Sequence, residues 1–201
     1  MTFVGSGGPP IGQVFACLGA VGMMENTQVG KVMSKSRGFT LIELMITIAV
    51  MAILLSLALP SFQQTLRSNR VATTTNELLA SLSLARSEAI RNTHGASLCP
   101  SADGTSCGTD WNAGWLVWGD TNDDGTLDSG ETVLRFTKLS PKMTAAGPSS
   151  NVVTFDGRGR RASTTDQSIV LAPDQCGGQE LKRTLEIGPT GQVKTTRSTC
   201  T

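Results

Sequence analysis

The longest apolar run in the chain is "FTLIELMITIAVMAILLSLAL", residues 39–59, and Glu43 is the single charge in it. A helix needs about 20 residues to cross a hydrocarbon core, so the run predicts a membrane-spanning helix. No small-residue A-x-A site follows it, which separates it from an ordinary cleaved secretory signal. Beyond Pro60 the pattern turns from uniform to periodic. Val71, Leu78, Leu82, Ala85 and Ala89 recur at helical spacing, with Arg70, Glu77, Ser81 and Glu88 between them. The apolar helix is therefore expected to continue as an amphipathic one. Pro60 removes one backbone hydrogen bond at the junction and is expected to bend the helix without ending it. The result is a bent helix of roughly 50 residues, about 75 Å at 1.5 Å per residue.

After the helix the pattern shortens. "GWLVW" (114–118), "TVLRF" (132–136), "NVVTF" (151–155), "SIVLA" (168–172) and "LKRTLEI" (181–187) are apolar runs punctuated by Gly, Asp, Asn and Pro. "GPTG" joins the last to "QVKTTR", which predicts a terminal hairpin. A long helix followed by antiparallel strands is an α+β layout, with the amphipathic half of the helix on a sheet. Trp115 and Trp118, on one short strand, read as sheet packing.

The chain has 201 residues, 39% of them hydrophobic, which suits one core plus an apolar appendage. Net charge is +1, yet residues 99–131 hold seven Asp/Glu and no Lys/Arg, whereas residues 132–201 hold ten Lys/Arg and five Asp/Glu. An anionic partner would meet the C-terminal part. No nucleophile with a positioned base, no phosphate-cradling loop and no metal-hydrolase spacing occurs, so an enzyme is not expected. His94 stands alone and reads as a helix-end residue.

An ionised carboxylate in hydrocarbon costs about 2.5 kcal/mol or more without a partner, and no cation lies within a turn of Glu43 after Arg37. The short basic stretch "MSKSRG" ending in Gly38, followed by "FTLIELMITIAVMAIL", resembles the prepilin peptidase signal of type IV pilins and type II secretion pseudopilins. Further on, "LRSNRVATTTNELLASLSLARSEAIRNTHGASLCPSADGTSC", W-x-x-G-W at Trp111 to Trp115, and "GETVLRF" resemble the minor pilins of the FimT/FimU type, within the GspH/FimT group.

The resemblance implies a pilin-like fold and a definite processing path. A prepilin peptidase would cut between Gly38 and Phe39 and methylate the new N-terminus. Residues 1–38 would be leader, 39–60 the transmembrane and assembly helix, and 61–201 a periplasmic globular domain. Residues 1–32 are Gly-rich and nearly uncharged, unlike such leaders, so Met33 reads as the better start. The resemblance gives Glu43 the partner it lacks, the free amine of a neighbouring subunit in a filament. The implied partners are other pilins or pseudopilins, the peptidase and the inner membrane. The implied role is a minor pilin of the type IV pilus; the alternatives are a minor pseudopilin of type II secretion and a membrane-anchored calcium or ligand-binding module.

In the oxidising periplasm Cys99, Cys107, Cys176 and Cys200 can all pair. Of three connectivities, 99 with 107 and 176 with 200 is favoured, because the first pair encloses the turn-rich "PSADGTS" and the second would pin the terminal hairpin.

Two stretches are candidate binding sites. "DTNDDGTLDSGE", residues 120–131, fits the calcium-loop pattern, with Asp120, Asn122, Asp124, Asp128 and Glu131 at ligand positions and Gly125 at the turn. The same residue types also build long hairpin loops through local hydrogen bonds. In "FDGRGRR", residues 155–161, Arg158, Arg160 and Arg161 present guanidinium forks suited to phosphates. Lys182, Arg183, Lys194 and Arg197 on the later hairpin would extend that patch into a DNA-binding surface. The G-R-x-R string resembles the DNA-binding motif of FimT-type competence pilins, which implies DNA capture for uptake. The other reading is a solvated turn, or arginines that contact the next subunit.

Overall fold

A computed structural model describes residues 38–200. The leader expected over residues 1–38, Gly38 apart, and the start expected at Met33 lie outside the described residues. One helix, α1, runs Leu41–Asn92 and continues through Pro60 without interruption. Eight strands follow: β1 Gly95–Pro100, β2 Gly114–Asp120, β3 Val133–Lys138, β4 Met143–Ala146, β5 Val153–Phe155, β6 Gln167–Pro173, β7 Lys182–Ile187 and β8 Val193–Ser198. They form two antiparallel sheets, ordered β3-β2-β1-β5 and β4-β6-β7-β8.

The face of α1 that the spacing predicts is the face that packs. Val71, Leu78, Leu82, Ala85 and Ala89 are all buried, in one apolar cluster with Leu98, Trp115, Val117 and Phe155 of the first sheet and Ile169, Leu171, Leu185 and Ile187 of the second. Each large side chain removed from water there contributes about 1.5–3 kcal/mol. Two polar groups on this face are satisfied: Thr75 Oγ1 donates to the Val71 carbonyl at 2.7 Å, and Trp115 Nε1 donates to Ser81 Oγ at 2.9 Å, whereas the buried Thr74 Oγ1 has no partner. Trp115 and Trp118 are both fully buried, three residues apart and so on opposite faces of β2. Trp115 meets the helix; Trp118 joins Cys99 and Leu116 in a second cluster on the outer face, with Phe136 and Leu127 packed against it.

Two strands have no counterpart among the expected runs. In β1, "GASLCP", every residue is buried, between β2 on one side and β5 on the other. Its small side chains let neighbouring backbone close in, and it carries none of the β-branched residues that mark a strand in sequence. Ala96 and Leu98 face the main core, whereas Ser97 Oγ is hydrogen-bonded to Asp120 Oδ2 at 3.3 Å and to the Thr154 hydroxyl at 2.9 Å. The second, β4, is "MTAA", with Met143 and Ala145 inward. The expected strand at 151–155 is reduced to Val153–Phe155.

Disulfides join Cys99 to Cys107 and Cys176 to Cys200, with Cα–Cα distances of 5.7 and 5.4 Å. The first fastens the loop after β1 over the outer cluster, where Gly104, at φ 77°, comes so close to Phe136 that a Cβ would sit 2.7 Å from its ring. The second fastens the C-terminus to the loop after β6.

Candidate functional site

The first candidate is the exposed beginning of α1. Thr40 caps it, its Oγ1 accepting the Glu43 N–H at 3.2 Å and its carbonyl the Leu44 N–H at 3.1 Å. "TLIE" thus has the Thr-x-x-Glu form of a helix start, and Glu43 stands in the first turn, where the positive end of the helix dipole favours a carboxylate. The sequence reading overlooked this cap. From Met45 onward, large side chains on every side of the helix are exposed, among them Ile48, Val50, Met51, Leu54, Leu57 and Phe62. Among the described residues α1 is the one helix long and apolar enough to cross a membrane.

The second candidate is the arginine loop. Asp156 builds it: its carboxylate accepts the backbone N–H of Arg158 and of Arg160, both at 2.9 Å, and the Arg160 guanidinium at 3.1 and 3.2 Å. Burial alone would raise the Asp156 pKa, but the N–H groups of Arg160 and Arg158 and the Arg160 charge outweigh it and hold the carboxyl below its ordinary 3.8. The loop lies against the end of α1, which Thr93 closes at φ 59°; a Cβ on Gly157 would sit 2.4 Å from the Thr93 carbonyl oxygen. Only glycine fits that approach. Arg158 and Arg160 are exposed. Arg86 of α1 joins them: its Nη2 donates to the Thr190 carbonyl at 3.2 Å, in the β7–β8 turn that meets the same loop. Helical spacing alone does not bring Arg86 to a loop 70 residues away, so the sequence reading missed it.

Two parts of the expected basic surface are corrected. Arg161 is 5% exposed, not part of the displayed loop. Its guanidinium donates to the carbonyls of Ile187 at 2.7 Å, Ser163 at 3.3 Å and Thr165, tying the loop to β7, and burial pushes its pKa down. Lys182 and Arg183 sit at the opposite end of β7 from Ile187. Five and four residues at about 3.3 Å each put some 17 Å and 13 Å between them and the Ile187 end, where the loop is tied. Arg183 is instead paired across the strands with Arg197, and burial and the Arg197 charge both depress its pKa.

The acidic loop is organised by its own donors. Asp120 is buried and accepts the N–H groups of Gly125 at 2.8 Å and Asp124 at 3.2 Å; burial raises its pKa. Glu131 accepts the N–H of Thr121 at 2.8 Å and of Asp128 at 3.1 Å, and Asn122 donates to Asp124 and Asp128. Among the described residues no group of three or more His, Cys, Asp or Glu converges as a metal site. In this structure the lone pairs of Asp120, Asp124, Asp128 and Glu131 take hydrogen bonds from the hairpin loop itself.

The family model described as Type II transport protein GspH matches residues 74–191, more than half of the chain. The chain belongs to the GspH family. A second model, the prokaryotic N-terminal methylation motif, matches residues 33–59 and so spans Gly38, Phe39 and Glu43. This chain thus joins a GspH domain, of a structural and not an enzyme family, to a prokaryotic N-terminal methylation motif. Its fold is similar to that of the type IV minor pilin FimU of Pseudomonas aeruginosa, at TM-score 0.50 and 23% identity over 64% of this chain and 89% of that one. The minor pseudopilin EpsH from the Type 2 Secretion System of Vibrio cholerae aligns at TM-score 0.43 and 13% identity, over 64% of this chain and 97% of that one. No curated protein matches the sequence. The methylation motif and the apolar helix fit a membrane-anchored pilin.

Proposed function

We propose that the protein is a minor pilin of the type IV pilus. In this reading residues 39–60 hold it in the inner membrane and residues 61–201 lie in the periplasm. A prepilin peptidase cuts after Gly38, Phe39 is methylated, and the subunit then enters a filament of other pilins. The observation that carries the reading is the exposed apolar half of α1 with Glu43 in its first turn. Such a surface needs lipid or other helices around it. In either setting the carboxylate costs about 2.5 kcal/mol or more unless a cation meets it, and the free amine at Phe39 of a neighbouring subunit is that cation.

Glu43→Ala tests this. The variant should reach the membrane and fold as before, and its share of the sheared filament fraction should fall at least tenfold. Undiminished incorporation would remove the assembly role.

Arg158 and Arg160 favour the pilus over the secretion pseudopilus, because the exposed Arg158 guanidinium and the outer edge of Arg160, whose other edge Asp156 holds, sit on a rigid turn that suits a DNA backbone that the filament would capture. The full chain in detergent should retard duplex DNA, with affinity falling steeply as salt rises. Arg158→Gln combined with Arg160→Gln should weaken retardation at least tenfold; an unchanged gel shift in the double variant would sink this part. A minor pseudopilin of type II secretion would have no such activity, and deleting it would stop export and spare piliation.

A further inference from the structure

Where α1 leaves its apolar half, cations gather without acids to match. Arg67 and Arg70 line a cleft of about 300 Å³ with Lys142, and Gln63, Leu66, Asp174 and Gln175 complete its wall. Asp174 is the one carboxylate of that lining. Arg67 Nη2 donates to Gln175 Oε1 at 3.3 Å, a neutral amide that leaves the charge in place. Among the described residues none of Arg67, Arg70 and Lys142 forms an ion pair. Lys142 is held in a left-handed turn at φ 64°, its carbonyl accepting the Asp174 N–H at 3.0 Å, which fixes its backbone at the cleft wall. Lys182 lines the adjoining cleft, which shares Asp174 and Gln175.

The height of this cluster along α1 identifies its partner. At 1.5 Å per residue, Arg67 and Arg70 lie about 10 and 15 Å beyond Pro60. Helical side chains lean toward the N-terminus, which carries both guanidinium groups back toward the apolar half. Phe62 and Leu66, still exposed, extend the apolar surface past Pro60. A bilayer has a headgroup layer roughly 5–7 Å thick on each side of its 30 Å hydrocarbon core, so the backbone of Arg67 and Arg70 stands just above that layer and their side chains, leaning back, reach down to it.

We infer that the cleft of Arg67, Arg70 and Lys142 binds the phosphate of an anionic phospholipid, holding the domain on the outer surface of the membrane before assembly. Guanidinium forks take phosphate oxygens in pairs, and Lys142 and Lys182 add point charges. The inference rests on the membrane reading of residues 39–60 in the proposed function.

The full chain, released from detergent, would be examined by native mass spectrometry for retained phosphatidylglycerol and phosphatidylcholine. Phosphatidylglycerol should be retained in preference. Arg70→Gln with Lys142→Gln should weaken its retention about 25-fold, at about fivefold per cation. Arg158→Gln with Arg160→Gln, the same loss of charge at the far end of α1, should leave retention unchanged. Equal retention of the two lipids, or an unaffected Arg70/Lys142 variant, would overturn the inference. So would displacement by inorganic phosphate, which would mark a site for the free ion. A variant that keeps its lipid and loses co-purifying pilin subunits would assign the face to protein and overturn it as well. Alkaline washing of membranes keeps the two readings apart: release of the wild-type chain defeats the membrane anchor itself, whereas retention without lipid preference defeats the cleft alone.

Discussion

Two stretches of α1 obey opposite rules within one continuous helix. Over residues 45–66 the apolar side chains point in every direction and stay exposed; Leu54 is 60% exposed. Over residues 71–89 they are confined to one face and buried; Leu82 is 1% exposed. The first stretch has no face to bury because it has no polar side. The second has one, and two sheets close on it. Hydrophobicity by itself therefore does not say where a helix packs: the arrangement of the polar residues decides, since only a sided helix can satisfy a core and water together.

The sharpest way to break the comparison is the same truncation in each stretch. Leu82→Ala should lower unfolding stability of the detergent-solubilised chain by about 2–5 kcal/mol, because it opens a cavity between α1 and the sheets. Leu54→Ala should leave the transition within about 0.5 kcal/mol of the parent. Comparable losses at the two sites would mean that the apolar stretch also packs on its own domain. A smaller effect is expected from a pair of serines. Ser56 Oγ donates to the Ile53 carbonyl and does nothing for the domain. Ser81 Oγ accepts from buried Trp115 Nε1, so Ser81→Ala leaves that donor unsatisfied. Ser81→Ala should destabilise by about 1–3 kcal/mol and Ser56→Ala by nothing measurable in the same denaturation experiment.

Adjacent arginines show where a sequence reading runs out. Arg160 and Arg161 look alike in "GRGRR", yet one lies exposed against Asp156 and the other is sealed against β7 carbonyls. Nothing local separates them, because the partners of Arg161 include Ile187, 26 residues away. Lys182 and Arg183 fail for a similar reason: the direction in which β7 runs sends them to the far end from the loop. The central strand β1 was illegible because what makes it a strand is two neighbours, not its own small side chains.

The linear sequence alone determined the features whose physics is local: the apolar run with its lone carboxylate, the N-terminal methylation motif, the buried face of α1 and the short-range closure of Cys99 on Cys107. Each follows from residues within a few turns of one another. Tertiary structure alone decided which charges are displayed. It buried Arg161, committed the acidic loop to its own N–H groups, brought Arg86 to Arg158 and Arg160, and assembled Arg67, Arg70 and Lys142 from separate elements. Exposure and charge clustering depend on which strands lie beside which, and that is set by long-range contacts with no periodicity to read.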